Sequence, residues 1–402
     1  MKYLTFLIAT LMTCNTYAGT KQPCLLENYF KQTESYKSSM LDNETKVLEL
    51  ERERLSFLPD ISVSIGQLST NKSSFKGVNK SSVSLGLSQS IYNGNRYNIF
   101  KDKIENDIEY NHLMIHDKRN RYLVDLYRSL IDYNYKSDLR QLYSSQFDKQ
   151  KEQLEIYKAK LASGDIAKFE YDIAELRKKE LKNQVDIINN EVSQTELYIK
   201  TNFNVPVEVI KKITGKEILS CKGAGTEYIL DKSRALLRQN EDKNYALNMT
   251  STKPNVSLSL YMRPPSNGTL NELTTKKTEF SAAVNLTLPL SAYFSVNNNK
   301  KDHAISIRRI NDTYDEKHKL YIREKENIIS KIKDLEGSIA LTRKKIELKS
   351  KEVDYVMSRF REKKETILSY YRQLDEFEHE KIKLKQDERE YEYYKIYIAI
   401  LD

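Results

Sequence analysis

Hydrophobic and polar residues alternate one by one in four short stretches of this chain. In the first pair of stretches, PDISVSIGQLS (Pro59 to Ser69) and SSVSLGLSQSIYNG (Ser81 to Gly94), Val83, Leu85 and Leu87 alternate with Ser82, Ser84, Gly86 and Ser88. In the second pair, KPNVSLSLYM (Lys253 to Met262) and FSAAVNLTLPLSAYF (Phe280 to Phe294), Val256, Leu258 and Leu260 alternate with Ser257, Ser259 and Tyr261. The longest run is Phe280, Ala282, Val284, Leu286, Leu288 and Leu290, with Asn285 and Thr287 on the opposite face. A period of two marks a strand with two unlike faces. The pattern predicts strands over about 60–69, 81–91, 254–262 and 279–290.

After each pair the period lengthens. From about Asn297 to Phe360 there is no Pro and only one Gly, Gly337. Apolar residues recur every seven positions at Ile332, Ile339, Ile346, Val353 and Phe360, beside a second series at Tyr314, Tyr321, Ile328, Leu335 and Val356. This is a coiled-coil seam. A returning helix repeats it at Tyr370, Phe377, Leu384, Tyr391 and Ile398. Earlier in the chain, Leu123, Leu126, Leu130 and Tyr133 mark an outgoing helix, and Val185, Ile188, Val192 and Ile199 mark its return. Helical hairpins are therefore expected over about 94–203 and 296–400. A helix of roughly 65 residues is ~100 Å long at 1.5 Å per residue.

The chain thus reads as two strand-strand-helix-helix repeats, 19–222 with a linker at 204–222, and 223–402. Strands apolar on one face and small and polar on the other suit a membrane barrel with lipid outside and water inside. Four strands cannot close a barrel, since ~8 is the smallest number whose interior can be filled. The missing strands are expected from further copies, which makes a ring-symmetric oligomer. The helices are too charged for lipid and far longer than its ~30 Å hydrocarbon core, so they are expected to project into water.

Composition narrows the choice. Of 402 residues, 39% are hydrophobic and 31% charged, too polar for a bundle of membrane helices. The net charge of +9 raises nucleic acid as a partner. Basic and acidic residues are interleaved along the helices, however, as in KKIELKSKEVD (Lys344 to Asp354), which describes solvated helix faces rather than a basic patch. The 28 Tyr and 12 Phe with no Trp are compatible with strands, seams and interfacial belts.

The N-terminal MKYLTFLIATLMTCNTYAGT has a Lys, an apolar run from Leu4 to Met12 and a small residue at Ala18, the layout of a secretory signal peptide over 1–18. Cys14 is a weak lipidation site, because Thr13 is a poor residue just before such a cysteine. Cleavage at Ala18 leaves Cys24 and Cys221. An oxidising compartment favours their pairing over metal binding, with two unpaired thiols as the other reading.

The chain resembles the TolC-type outer-membrane factor family from about residue 25 to its end. The likeness is carried by FLPDISVSIG (Phe57 to Gly66), a Leu-Pro lead-in to the first strand, and by LSQSIYNGNR (Leu87 to Arg96), similar to the family's strand-to-helix turn. LASGDIAKFEYDIAE (Leu161 to Glu175) at a helical tip and NLTLPLSAYF (Asn285 to Phe294) in the second repeat complete it. The resemblance implies a mainly α chain with transmembrane β. Three copies would share a twelve-stranded barrel in the outer membrane of a Gram-negative bacterium, continuing into a periplasmic helical tunnel. It implies a passive exit duct for type I protein or peptide secretion or for drug efflux. The implied partners are outer-membrane lipid, a periplasmic adaptor and an inner-membrane transporter, either ATP-driven or proton-driven. No cofactor is implied.

The tips carry the candidate site. Gly164 suits the positive φ that reverses a helix, and Asp165 is expected to cap the next one. The turn resembles the family's tip motif, with Gly164 at its Gly and Glu170 at its later acidic position, and Gly164, Asp165, Glu170 and Lys363 are the candidates for the periplasmic tip and adaptor docking. In FREKKETILSYYRQLDE (Phe360 to Glu376) the second tip departs from it: Lys363 stands in place of the usual Gly, Ser369 in place of a common Asp, and Arg372 where some members have a second Asp. Acidic rings at the tunnel mouth select cations in such relatives. Helix spacing is expected to place Glu365, Ser369, Arg372 and Glu376 on one face, and Asp375 and Glu376 are candidates for a displaced ring.

His112 and His116 are spaced for one helix face, but no third ligand is in view and a solvent-facing pair is expected. Phosphate-binding Gly loops and nucleophile signatures are absent, so an enzyme is not expected. The rival reading is a periplasmic coiled-coil adaptor or scaffold, which explains a long hairpin but not a second one with its own strand pair.

Overall fold

The structure is a computed structural model that describes residues 24–67, 81–264, 278–362 and 364–402. Two short-to-medium helices, α1 (Glu27–Gln32) and α2 (Glu34–Leu55), precede strands β1 (Asp60–Gly66) and β2 (Ser82–Asn93). The first hairpin is α3 (Arg96–Ser163) and α4 (Lys168–Phe203), followed by the small helices α5 (Val207–Ile210) and α6 (Gly215–Ser220). Helix α7 (Thr226–Met249) then leads to β3 (Asn255–Arg263) and β4 (Glu279–Thr287), and the second hairpin is α8 (Val296–Arg361) and α9 (Ile367–Leu401). Residues 1–23, with the leader and Cys14, lie outside those described, as do Leu68 and Ser69 at the end of the first expected strand. The last strand ends at Thr287 rather than near 290. Pro289 has no N–H to give a ladder, and Leu290–Ser295 winds instead into a 3₁₀ turn.

The chain divides into two compact units. One holds residues 37–116 and 226–322. Its sheet is antiparallel in the order β1-β2-β3-β4, so β1 and β4 are edges. Beside it, parts of α2, α3, α7 and α8 pack through small and polar residues as well as aliphatic ones. Ile104, Ile229 and Leu236 are buried together with Ser39, Ser233 and Asn240. Asn111 donates to Ser39 O at 2.9 Å and to Asn43 at 2.8 Å, and Asn240 donates to Asp107 at 2.5 Å, so each of these amide nitrogens finds a partner. Burial holds the Asp107 carboxyl above its ordinary value, against the pull of Lys103 and Lys46.

The turn from β2 into α3 needs glycine. Gly94 has φ 74°, and a Cβ there would meet the Lys253 side chain at 2.9 Å. Lys253 itself closes the turn by donating to Gly94 O at 3.1 Å.

The other unit holds residues up to 36, 117–225 and 323–402. Its core collects Leu26, Phe30, Tyr122, Leu123, Leu126 and Leu130, all buried, with Ile199, Phe203 and Ile218. Tyr122 stands at the centre: its ring lies 5.5 Å from those of Phe30 and Phe203, and its hydroxyl donates to Phe203 O at 2.8 Å. Burial pushes that phenol well above its usual range. Along α4, Ala174, Leu181, Ile188 and Thr195 are buried at every seventh position, with Val192 and Ile199 between. That stripe faces α3, where Gln150 donates to Ala174 O and Lys136 to Thr195 at 3.0 Å each.

Helix α9 carries two seams rather than the single one expected. Tyr370, Phe377, Leu384, Tyr391 and Ile398 are only half-buried, whereas Ile382, Tyr393, Ile396 and Ile400 are buried. One flank joins α8 through Ser338 to Asp387 at 2.9 Å and Arg343 to Glu388 at 2.7 Å. The other joins α3, where Tyr127 stacks on Tyr393 and Arg128 lies 5.3 Å above the Tyr393 ring. The helices of this unit therefore neighbour one another in the order α4-α3-α9-α8.

Candidate functional site

The strand register sorts the sheet into two chemical faces. Ile61 pairs with Leu87, Val63 with Leu85 and Ile65 with Val83. Leu87 continues to Leu260 and Leu85 to Met262. Val256 pairs with Leu286, Leu258 with Val284, and Met262 with Phe280. Neighbours across a ladder share a face, so one side of the four strands is apolar but for Gln89, which pairs with Leu258. The opposite side pairs Ser62 with Gly86, Ser88 with Ser259, and Ser257 with Asn285. Asn285 donates to the Ser259 hydroxyl at 3.3 Å.

The edge strands β1 and β4 leave large apolar side chains bare. Ile61 is 68% exposed, Val284 70% and Phe280 76%, although each is a large apolar side chain. In the middle of the sheet both sides are crowded: Val83 on the apolar side is buried as well. Ser259 is buried, and a Cβ at Gly86 would come within 3.0 Å of the Ser62 hydroxyl and 3.2 Å of the Tyr261 ring. The bare aliphatic side chains of β1 and β4 thus form an exposed apolar patch on one side of the sheet.

The two helical tips repeat one turn 199 residues apart. At the first, Asp165 N–H bonds to Lys160 O at 2.8 Å and Gly164 takes φ 78°. At the second, Lys364 N–H bonds to Arg359 O at 2.9 Å. At the first tip this is the closing bond of a helix that ends in a left-handed residue, and the second tip repeats the bond. Lys363, in the position of Gly164, lies outside the described residues.

Each next helix is then capped by a different half of one motif. On α4, Glu170 reaches back to accept from Ala167 N–H at 3.1 Å. On α9, Thr366 at the N-cap accepts from Ser369 N–H at 3.1 Å. A capping box joins both bonds in one place, whereas here they are shared between the tips. Asp165 does not cap α4, because the helix begins three residues later at Lys168; its carboxylate accepts from Ser163 at 2.5 Å instead. A small apolar cluster of Leu154, Tyr157 and Ala174 gathers Ile166, Tyr171 and Ile367 against it, so both tips share a packed knot.

The residues expected on one face of α9 separate. Glu365 precedes the N-cap and stands 3.9 Å from Arg359, outside the helix. Arg372 is exposed. Glu376 pairs with Lys349 of α8, and the hydrogen bond from that ammonium holds its carboxyl below the ordinary range. Asp375 turns the other way, toward Arg177 of α4, and burial raises its carboxyl despite that cation. The adjacent acids thus serve different neighbours.

His112 is exposed and His116 half-buried, its imidazole pushed down by burial and by His112. Among the described residues no group of three metal-ligating side chains assembles. Cys24 and Cys221 stand with their sulfurs joined and their Cα atoms 4.9 Å apart.

No protein-family model matches the chain, and no curated protein sequence does. Solved structures do. The Campylobacter jejuni CmeC outer membrane channel superposes with a TM-score of 0.72 at 12% identity, over 94% of this chain and 84% of that one. The chain has the TolC-type outer-membrane channel fold. Vibrio cholerae VceC, an outer membrane protein, shares this TolC-type fold with a TM-score of 0.65 at 9% identity, covering 94% of both chains. The Neisseria gonorrhoeae MtrE outer membrane channel gives 0.65 at 12% identity, over 94% and 86%. Sequence reading missed α2 and α7 as separate helices of the TolC-type fold. The clue lay in Ser39 and Asn43, and in Ser233 and Asn240, small or amide side chains at helical spacing that are buried where helices meet.

Proposed function

We propose that this chain is the outer-membrane channel-tunnel of a tripartite export system, a passive exit duct rather than an enzyme. The observation that carries the reading is the four-stranded sheet with a bare apolar face and two open edges. Strands β1 and β4 run antiparallel to each other, so β4 of one copy continues the ladder onto β1 of the next without a break in pattern. Three copies supply twelve strands, enough for a lumen. The outer face then lies in lipid, where each aliphatic side chain taken from water contributes ~1.5–3 kcal/mol.

The helices support the same ring. In the order α4-α3-α9-α8, the two outer helices keep exposed apolar stripes: Phe169 and Leu176 on α4, and Leu341, Leu348 and Tyr355 at seven-residue intervals on α8. Such stripes are seams awaiting a partner helix. The tunnel they would close reaches into the periplasm, where an adaptor and an inner-membrane transporter complete the path for a secreted polypeptide or a drug. A periplasmic adaptor would leave the strand face without purpose.

The test is fractionation of membranes followed by electrophoresis with and without heating. A membrane-bound species that falls from trimer to monomer on heating is expected. A soluble periplasmic monomer would overturn the reading.

A further inference from the structure

At the helix end of the sheet, a cavity of about 380 Å³ opens between the end of α2, the last residues of β2 and the first turn of α3. Its wall is of two kinds. Phe57, Ile91, Tyr92 and Tyr97 give an apolar side, with Phe57 and Tyr97 edge to face at 5.7 Å. Arg54 and the amides of Asn93, Asn95 and Asn98 give a polar rim.

Two arginines stand near this rim, and they differ. Arg96 is committed, donating to Glu53 at 2.8 Å. Arg54 is exposed and has no ion-pair partner among the described residues. The site is also placed by the register. A bulge between Ser90 and Tyr92 lets Tyr92 pair with Val256, so Tyr92 stands on the apolar face at its end. An aromatic side chain in that position belongs at the boundary between acyl chains and headgroups. Asn98 already donates to the Asn95 oxygen at 2.6 Å. An uncommitted guanidinium beside Tyr92, with the amide nitrogens of Asn93 and Asn95 around an apolar hollow, matches a phosphodiester attached to hydrocarbon.

We infer that this cavity holds the headgroup phosphate of a glycerophospholipid from the membrane leaflet nearest the helices, with Arg54 as its principal donor. The inference rests on the membrane location proposed above. In it the phosphate sits against Arg54 and the amides of Asn93 and Asn95, and the glycerol and first methylenes lie on Ile91, Tyr92 and Phe57. The ligand class is an anionic or zwitterionic phospholipid, and free phosphate lacks the part that the apolar wall receives.

The experiment uses the full-length oligomer in detergent, with phosphatidylglycerol as probe and native mass spectrometry as readout. Wild type should retain the lipid, Arg54→Gln should lower retention about tenfold, as expected for one lost charge-assisted hydrogen bond, and Arg96→Gln should change it little. Inorganic phosphate at equal concentration should fail to displace the lipid. Unchanged retention in Arg54→Gln, an equal fall in Arg96→Gln, or displacement by phosphate alone would each overturn the inference. So would dissociation of Arg54→Gln into monomers, which would make the rim a contact between copies. Fractionation of the same preparations separates the two claims: wild type absent from membranes removes the channel reading, whereas membrane-bound protein with indifferent retention removes only this site.

Discussion

Arg389 on α9 donates from Nη1 to Oδ2 of Asp138 on α3 at 2.7 Å, tying one helical hairpin to the other. Both side chains are partly buried. The pair sits within the α3-α9 seam, between the stacked rings of Tyr127 and Tyr393 on one side and the contact of Tyr143 with His379 on the other. A double-mutant cycle of Arg389→Ala and Asp138→Ala should therefore give a coupling of ~0.5–1.5 kcal/mol, above the usual value for a fully exposed pair. Additive losses in chemical unfolding would mean that the helices are joined by their aromatic contacts alone.

The strand faces give the sharpest contrast between neighbouring residues. Leu286 lies on the apolar side and Asn285 on the polar side. Leu286→Arg should cost ~2–4 kcal/mol near a bilayer midplane and reduce the yield of assembled protein, whereas Asn285→Ala should be tolerated. Equal oligomer yields from the two variants would remove the proposed orientation of the sheet.

Cys24 and Cys221 close a loop of 197 residues in sequence. Non-reducing peptide mapping of the mature protein should recover the two as a linked pair. Cys221→Ser should lower stability by ~2–4 kcal/mol. Alkylation of both thiols without prior reduction would show that the pair stays open.

Asp375 yields a pH dependence of defined sign. Burial raises its carboxyl above the ordinary 3.8. A folded-state pKa above the unfolded one means that protonation favours the folded form, so the contribution is present below the unfolded pKa and lost as pH rises through the folded one. Asp375→Asn is accordingly expected to raise the melting temperature at pH 7, with a gain that fades as pH falls toward ~4. A gain independent of pH would show that the carboxyl does not titrate in this way.

At the second tip, Arg372 is exposed beside Glu376, which is occupied by Lys349. If the exposed side of this turn lines the pore, three copies place three guanidinium groups around the passage, and Arg372→Asp should increase cation selectivity. Reversal potentials across a planar bilayer under a salt gradient decide it. Identical values for wild type and variant would place Arg372 against a neighbouring helix.

The sequence displayed the alternation of Val83, Leu85 and Leu87 and the heptads of Leu181, Ile188, Ile332 and Ile339 because each follows from one element's own period. What it concealed depended on neighbours. The second seam of α9, with Arg389 and Gln386 among Ile382, Tyr393 and Ile396, is too polar to stand out until α3 lies against it. Asp165 looks like a cap on local grounds, yet the start of α4 at Lys168 leaves it one turn too early. Glu365 falls before Thr366 for the same reason, so its spacing from Ser369 has no helical meaning. Asp375 and Glu376 are adjacent letters whose roles diverge only because α4 carries Arg177 and α8 carries Lys349.

The exposed faces of β1 and β4 also govern how the protein must be made. A solitary sheet with Ile61, Val63, Val284 and Leu286 in water has every reason to stick to any similar strand it meets. On the proposed route to the outer membrane its strands therefore have to stay apart, or be held by a chaperone, while they are in water. In the proposed channel they are covered only once lipid and sister chains arrive together. Biogenesis, more than the finished duct, is where a lapse in this sequence would first be felt.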